Sequence, residues 1–347
     1  MKQKNKYRSE WECPSNIALI KYWGKKTPQL PLNPSVSFSL QNAKTKTSIE
    51  IPQSNNRKVE FIFEGKSSAF GERIRNYFDV LAKDEKRLND FSFHIESSNT
   101  FPHSAGIASS ASAFGALALC LTDLKNQVEE NEVSTSNFFS KASELARLGS
   151  GSACRSVYPQ FAIWGEFAEI SGTSNHHAVP VSENIHADYF TLHDAILLVD
   201  STKKKVSSSA GHQLMNDHPF REARIKQANN HTHEILQAMK TGDHEQFFKI
   251  TEKEALSLHS MMMTSEPPYL LLHPNSLAII RKIQDFRRQT NLPVGFTIDA
   301  GPNIHFLYFE KDKNEVHRFI KNELMKFTEN GNWLDDQIGN GPKKLKE

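Results

Sequence analysis

The 347 residues are 38% hydrophobic and 24% charged, an ordinary globular balance that suits two domains or one large cleft-bearing domain. The formal net charge is +2, and Lys and Arg are dispersed apart from runs at 203–205 and 343–346; this excludes a concentrated basic face for nucleic acid and fits a small anionic ligand. Cysteines without metal-like spacing (Cys13, Cys120, Cys154), a charged N-terminus and no run near the roughly 20 apolar residues of a membrane span predict a cytoplasmic protein free of the membrane.

In chain order, residues 48–51, 59–63 and 91–95 predict short strands, with an amphipathic helix at 71–82. Residues 105–121 are small and apolar and predict a buried helix. An amphipathic helix at 138–148 and an apolar run at 158–164 follow. A strand at 195–199 opens a second unit, with helices at 219–239, 244–261 and 275–290. Strands at 295–298 and 304–309 and a helix at 314–327 complete it. Strands and helices in this alternation predict an α+β fold of two lobes, 1–190 and 191–347.

Four segments carry chemistry. Gly149-Ser-Gly-Ser-Ala-Cys-Arg-Ser156 offers glycine amides, hydroxyls and one guanidinium, the groups that grip a carboxylate or phosphoryl group; an ordinary loop is the alternative. In the segment from Pro14 to Lys25, an apolar strand-like run at 17–20 delivers Lys21, Tyr22 and Trp23 to a glycine turn, either as an anion site or as a solvated strand edge. Pro102 to Ser112 runs through Gly106 into the alanine-rich helix, placing Ser109 and Ser110 where a helix N-terminus attracts phosphate or where serines simply cap. Thr297-Ile-Asp-Ala-Gly-Pro-Asn303 holds Asp299 between apolar strands; it is a partly desolvated acid with a task, or an Asx cap of the Gly-Pro turn. A fifth, Ser-rich segment at 206–212 is balanced between anion contacts and a plain turn.

Taken together, NIALIKYWGK, PHSAGIASSAS, GSGSACRS, VSSSAG and TIDAGPN resemble the diphosphomevalonate decarboxylase family of the GHMP kinase superfamily, in the family's order. The resemblance implies a ribosomal-protein-S5-like N-terminal lobe and a ferredoxin-like C-terminal lobe. It implies ATP-dependent decarboxylation of (R)-5-diphosphomevalonate to isopentenyl diphosphate. Asp299 matches the catalytic aspartate, Arg155 the residue that holds the substrate carboxylate, and Lys21 and Tyr22 the pair near the diphosphate. Catalysis is therefore expected of Asp299, Arg155 and Lys21, and substrate contacts of Asn16, Lys21, Tyr22, Ser150, Ser152, Arg155 and Ser208. ATP is expected at Pro102, Ser104, Ala105, Gly106, Ile107, Ala108, Ser109 and Ser110, with Mg²⁺ at Ser109 and Ser110. The implied partner is a small-molecule substrate, with a homodimer as the assembly to test.

His103 stands where the family usually has Thr, His212 where Met is common, Asp217 and His218 near a usual Thr-Ser pair, and Ser209 where some relatives carry Arg. These departures bear on which phosphorylated mevalonate is preferred. The rivals are a decarboxylase of 5-phosphomevalonate, a kinase-only relative and a non-catalytic binding protein of the same fold.

Overall fold

A computed structural model describes residues 7–52, 58–101, 107–201 and 208–346. The first lobe contains β1 (Tyr7–Ala18), the ribbon β2 (Lys25–Lys26) and β3 (Leu30–Pro31), β4 (Ser35–Ile51), β5 (Val59–Phe63) and β6 (Lys66–Ser67). After α1 (Phe70–Asp84) come β7 (Phe93–Asn99), α2 (Ser109–Glu129), α3 (Thr135–Gly149), the short α4 (Ala153–Ser156), β8 (Phe161–Trp164) and β9 (Ala178–Pro180). The second lobe runs through β10 (Leu192–Leu197), α5 (Ser208–Gln213), α6 (Arg221–Thr241), α7 (His244–Met263), α8 (Pro274–Thr290), β11 (Gly295–Thr297) and β12 (Ile304–Phe309). It closes with α9 (Lys313–Phe319), β13 (Trp333–Gln337) and β14 (Lys343–Lys346).

The long strand β4 organises the first sheet. One edge pairs antiparallel with β1; the other pairs with β8 near its start and with β7 near its end. Helix α2 lies against this sheet and is buried from Ala111 to Leu124, which explains a composition apolar all round rather than on one stripe. The second sheet has the order β11-β12-β10-β13, antiparallel throughout. One of its faces meets the first lobe through Leu192, Ile196 and Leu307; the other packs on α8 through Ala195, Leu197 and Phe306.

Two expectations need correction. The predicted strand at 48–51 is only the end of β4, whose serine-rich first half hid it. The predicted helix at 314–327 breaks after α9 into a π turn and 3-10 turns. The last strand, β14, returns to the first sheet and pairs with β1.

Helix α7 matters most for the site. Asp243 caps it by accepting the Gln246 amide at 3.0 Å. Phe247, Thr251, Glu254, Leu258 and Met262 then recur at three- and four-residue spacing on its buried side. A carboxylate in that apolar stripe must have partners.

Candidate active site

Lys21 lies three residues past the end of β1, and Asp299 two residues past the end of β11. Lys21 Nζ donates to Asp299 Oδ1 at 2.7 Å, joining the two lobes. The lysine side chain is 2% exposed and the aspartate 25%, so the pair is dry on one side and open on the other. Gly301 N donates to the backbone oxygen of Asp299 at 2.7 Å, and His259 Nε2 is 3.1 Å from that same oxygen. The Gly-Pro turn is thus closed by backbone, and Oδ1 of the Asp299 carboxylate accepts from Lys21.

The backbone of Lys21 is held as firmly as its side chain. Its amide donates to Glu254 Oε2 at 2.8 Å, and its carbonyl accepts from Asn33 Nδ2 at 3.1 Å and Arg224 Nη2 at 3.3 Å. Arg224 grips both Glu254 oxygens, at 2.9 and 2.6 Å, and His231 Nδ1 lies 2.6 Å from Oε1. Burial pushes the Glu254 carboxyl up, but Arg224 and His231 outweigh it and hold the group below the usual carboxylate range.

Arg155 sits on α4, buried. Its Nε donates to Ser37 Oγ at 2.9 Å, Nη1 to Ser35 Oγ at 2.8 Å and Nη2 to Asn16 Oδ1 at 3.3 Å. Five N–H donors less these three leave one on each terminal nitrogen without a partner among the described residues, the fork that takes a carboxylate. Burial draws the Arg155 pKa down, and the nearby Cys154 and Asp299 oppose that. Asn16 donates to Ser152 O at 3.0 Å and Ser156 Oγ at 2.7 Å, so its polar atoms serve to hold Arg155. The serines at 35 and 37 explain the polar alternation of β4: they face inward because they carry this guanidinium.

The glycines of the GSGSACRS motif act by close packing. A Cβ on Gly149 would fall 2.0 Å from the Phe114 ring, and one on Gly151 would fall 2.9 Å from Trp164 and from the Tyr22 hydroxyl. The amides of Ser150, Ala153, Cys154 and Arg155 all bond within the turn and the helix end. The sequence expectation of glycine-freed amides open to a ligand therefore fails for these four. Tyr22, wedged between Trp164 and His212 at centroid distances of 4.7 and 4.4 Å, keeps a buried hydroxyl with no hydrogen-bond partner among the described residues, and burial raises its pKa.

Ser109 and Ser110 form the first turn of α2, whose N-cap, Ala108, is left-handed at φ 41° and supplies no side-chain cap. Ala111 N donates to Ala108 O at 2.7 Å, so the first-turn amides left for an anion are those of Ser109 and Ser110. Ser110 Oγ lies 3.3 Å from Ser150 Oγ, bringing the helix N-terminus beside the GSGSACRS turn. Ile107 is buried, and its carbonyl accepts from Ser15 Oγ at 2.6 Å. Pro102, His103, Ser104, Ala105 and Gly106 lie outside the described residues, as do the lysines at 203–205; of Ser208 only the helical backbone is described.

Sequence reasoning missed Arg73. This residue of α1 stacks over Phe114 at 4.9 Å and donates to Gly149 O at 3.1 Å. Half-buried Lys25 is drawn below its ordinary pKa by burial and by the charge of Arg73. Neither cation meets a carboxylate among the described residues, so the two form a locus for an anion. The missed Glu254 had a readable signal, an acid in an apolar helical stripe. Arg73 had none, since its partners are distant in sequence.

A mixed sheet backed by helices, with a helix N-terminus beside a Lys–Asp–Arg cluster at the lobe junction, defines the GHMP kinase fold. The chain superimposes on mevalonate diphosphate decarboxylase from Staphylococcus aureus with a TM-score of 0.83 and 29% identity over 99% of both chains. A second neighbour, solved in complex with MVAPP, AMPPCP and magnesium, gives a TM-score of 0.84 and 26% identity over 99% of this chain and 100% of that one. Residues 13–177 match the diphosphomevalonate decarboxylase-like N-terminal domain, and residues 195–344 the mevalonate 5-diphosphate decarboxylase C-terminal domain. The diphosphomevalonate decarboxylase of Ganoderma lucidum is 33% identical over 319 residues, 86% of this chain and 77% of its own length. The chain belongs to the diphosphomevalonate decarboxylase family.

Proposed function

We propose that the chain catalyses the ATP-dependent decarboxylation of (R)-5-diphosphomevalonate to isopentenyl diphosphate, with release of ADP, phosphate and CO2. The observation that carries this reading is the Lys21–Asp299 ion pair spanning the lobes, with the charges of Asp299 and Arg155 close enough to interact. Asp299 orients the tertiary 3-hydroxyl and takes its proton as the hydroxyl oxygen attacks the γ-phosphoryl group. The two unused N–H groups of Arg155 hold the substrate carboxylate. Lys25 and Arg73 receive the diphosphate, and their clustered positive charge supports this role.

The first-turn amides of α2 and the hydroxyls of Ser109 and Ser110 suit a triphosphate and a hard, oxygen-seeking cation. Mg²⁺ bound there would neutralise charge on the phosphoryl oxygens. Phosphorylation makes the 3-oxygen a good leaving group. Its departure develops positive charge at C3; the C1–C2 bond then breaks, CO2 leaves, and the bonding pair becomes the C2–C3 double bond. Asp299 faces that developing charge, and a wall of buried Trp23 and Trp164 with half-buried Tyr22 limits water.

A coupled assay of ADP and CO2 release tests the reading. With 5-diphosphomevalonate both should appear in equal amounts. The extra charge-assisted contact should favour it over 5-phosphomevalonate about tenfold to hundredfold in kcat/KM. Preference for the monophosphate would move the chain to the sister activity, and ADP without CO2 would make it a kinase.

A further inference from the structure

At the far end of the second sheet from Asp299, three potential ligands converge. The donor atoms of His186, Asp188 and His244 all lie within 4.8 Å of one another. His186 and Asp188 lead into β10, and His244 is the first residue of α7. Leu192 of β10 pairs with Phe309 of β12, while Leu197 pairs with Ile304 near the Asp299 turn. Strand length alone therefore puts about 17 Å between the cluster and the reacting centre.

The hydrogen-bonding state of each ring is informative. Asp188 N donates to His186 Nδ1 at 3.4 Å, which puts the ring proton on Nε2 and engages the Nδ1 lone pair in a long contact that a cation at Nδ1 would replace. Nδ1 is 3.8 Å from Asp188 Oδ1. His244 Nε2 lies 3.2 Å from Asp188 Oδ2, yet it is buried and makes no hydrogen bond among the described residues. A ring nitrogen so close to a carboxylate without bonding it is aimed at a point beside it, as ligands around a shared cation are. Neighbouring Asp312 likewise has a buried Oδ2 without a hydrogen-bond partner among the described residues, and it interacts electrostatically with His244.

The rings are held in place. His244 packs on Phe309 at 4.4 Å and on Tyr189 at 5.5 Å. His186 lies over Gly242, where a Cβ would come within 3.1 Å of its ring. Lys311 Nζ is 4.0 Å from Asp188 Oδ2, and its side chain is 58% exposed, so it can swing away when another cation enters. Donor atoms of a tetrahedral ion with bonds of about 2.0 Å stand roughly 3.3 Å apart, close to the 3.2 Å seen for His244 and Asp188.

We propose that His186, Asp188 and His244 form a binding site for one late first-row divalent cation, of the Zn²⁺ class, with water completing a tetrahedron. Two imidazoles and one carboxylate select Zn²⁺, Co²⁺ or Ni²⁺ over Mg²⁺, so the site does not draw on the metal that accompanies ATP. Its effect is to tie the segment before β10 to the start of α7, the helix that carries Glu254.

The test uses the full chain after chelator treatment and dialysis, titrated with Co²⁺ and followed by visible absorption and calorimetry. The expected result is one equivalent bound with the intense absorption of tetrahedral Co²⁺, displaced by Zn²⁺, with a higher Tm in the metal-loaded protein. His186→Gln, at a half-exposed position that leaves the fold intact, should weaken binding about tenfold or more and abolish the Tm gain; His244→Gln should do the same. Turnover with ATP and Mg²⁺ should be unchanged in His186→Gln. Equal Co²⁺ affinity in parent and His186→Gln, or weak octahedral absorption only, would overturn the proposal.

Discussion

Lys21 Nζ and Asp299 Oδ1 stand 2.7 Å apart, one from each lobe, with the lysine buried and the aspartate at the open side. The ammonium fixes the carboxylate's orientation and balances its charge. Lys21→Met keeps the volume and removes the cation. Turnover should fall about a hundredfold, the scale of a mispositioned acid–base group, with Tm changed little. Steady-state kinetics beside a thermal melt decides it; normal kcat in the folded variant would remove the pair from catalysis.

Glu254 has a different role: it touches Lys21 only through the backbone amide. Glu254→Gln leaves Arg224 a buried cation without its anion. Breaking such a pair costs about 3–5 kcal/mol, so chemical denaturation should show a loss of that order. At a temperature where the variant is still folded, kcat should drop while KM for ATP holds.

Arg155→Lys should not be conservative. An ammonium cannot reach Ser35, Ser37 and Asn16 together and still present a fork to a carboxylate. KM for the phosphorylated mevalonate should rise and CO2 release should slow. Unchanged values would mean that Arg155 only braces β4 against α4.

Much of this was legible because it was local. The strand at 304–309 and the starts of α7 and α8 follow from periodicity and capping, and Asp299 and Arg155 stood out as charges framed by apolar neighbours. Elsewhere the decisive partner lay far along the chain. The inward serines of β4 read as polar until Arg155, 118 residues away from Ser37, is placed on them. β14 returns to β1 across nearly the whole sequence. His212, read from the sequence only as a departure from the family pattern, is buried between Tyr22 and Trp23, at 4.4 and 4.5 Å, and its Nδ1 accepts the Gly24 amide at 2.9 Å.

That burial, with Lys25 adding to it, lowers the His212 pKa to about 3. An unfolded histidine titrates near 6.5, so between pH 6.5 and 3 the unfolded chain takes up a proton that the folded chain refuses. Stability must therefore fall as pH drops through that window, by up to ~1.4 kcal/mol per unit from this group. His212→Met should lose about 1 kcal/mol at pH 7 through the orphaned Gly24 amide and regain ground on the parent towards pH 4. Denaturant melts at both pH values would show it; parallel pH dependence in the two proteins would refute it.

Asp299→Asn bears most directly on the proposed chemistry, because it keeps the shape of the side chain and removes its basicity. Calorimetry should show ATP and 5-diphosphomevalonate binding nearly as in the parent. Single-turnover release of ADP and CO2 should be slower by about a hundredfold or more, both products falling together. Undiminished CO2 release from the folded variant would contradict the assignment of Asp299 as the group that takes the 3-hydroxyl proton.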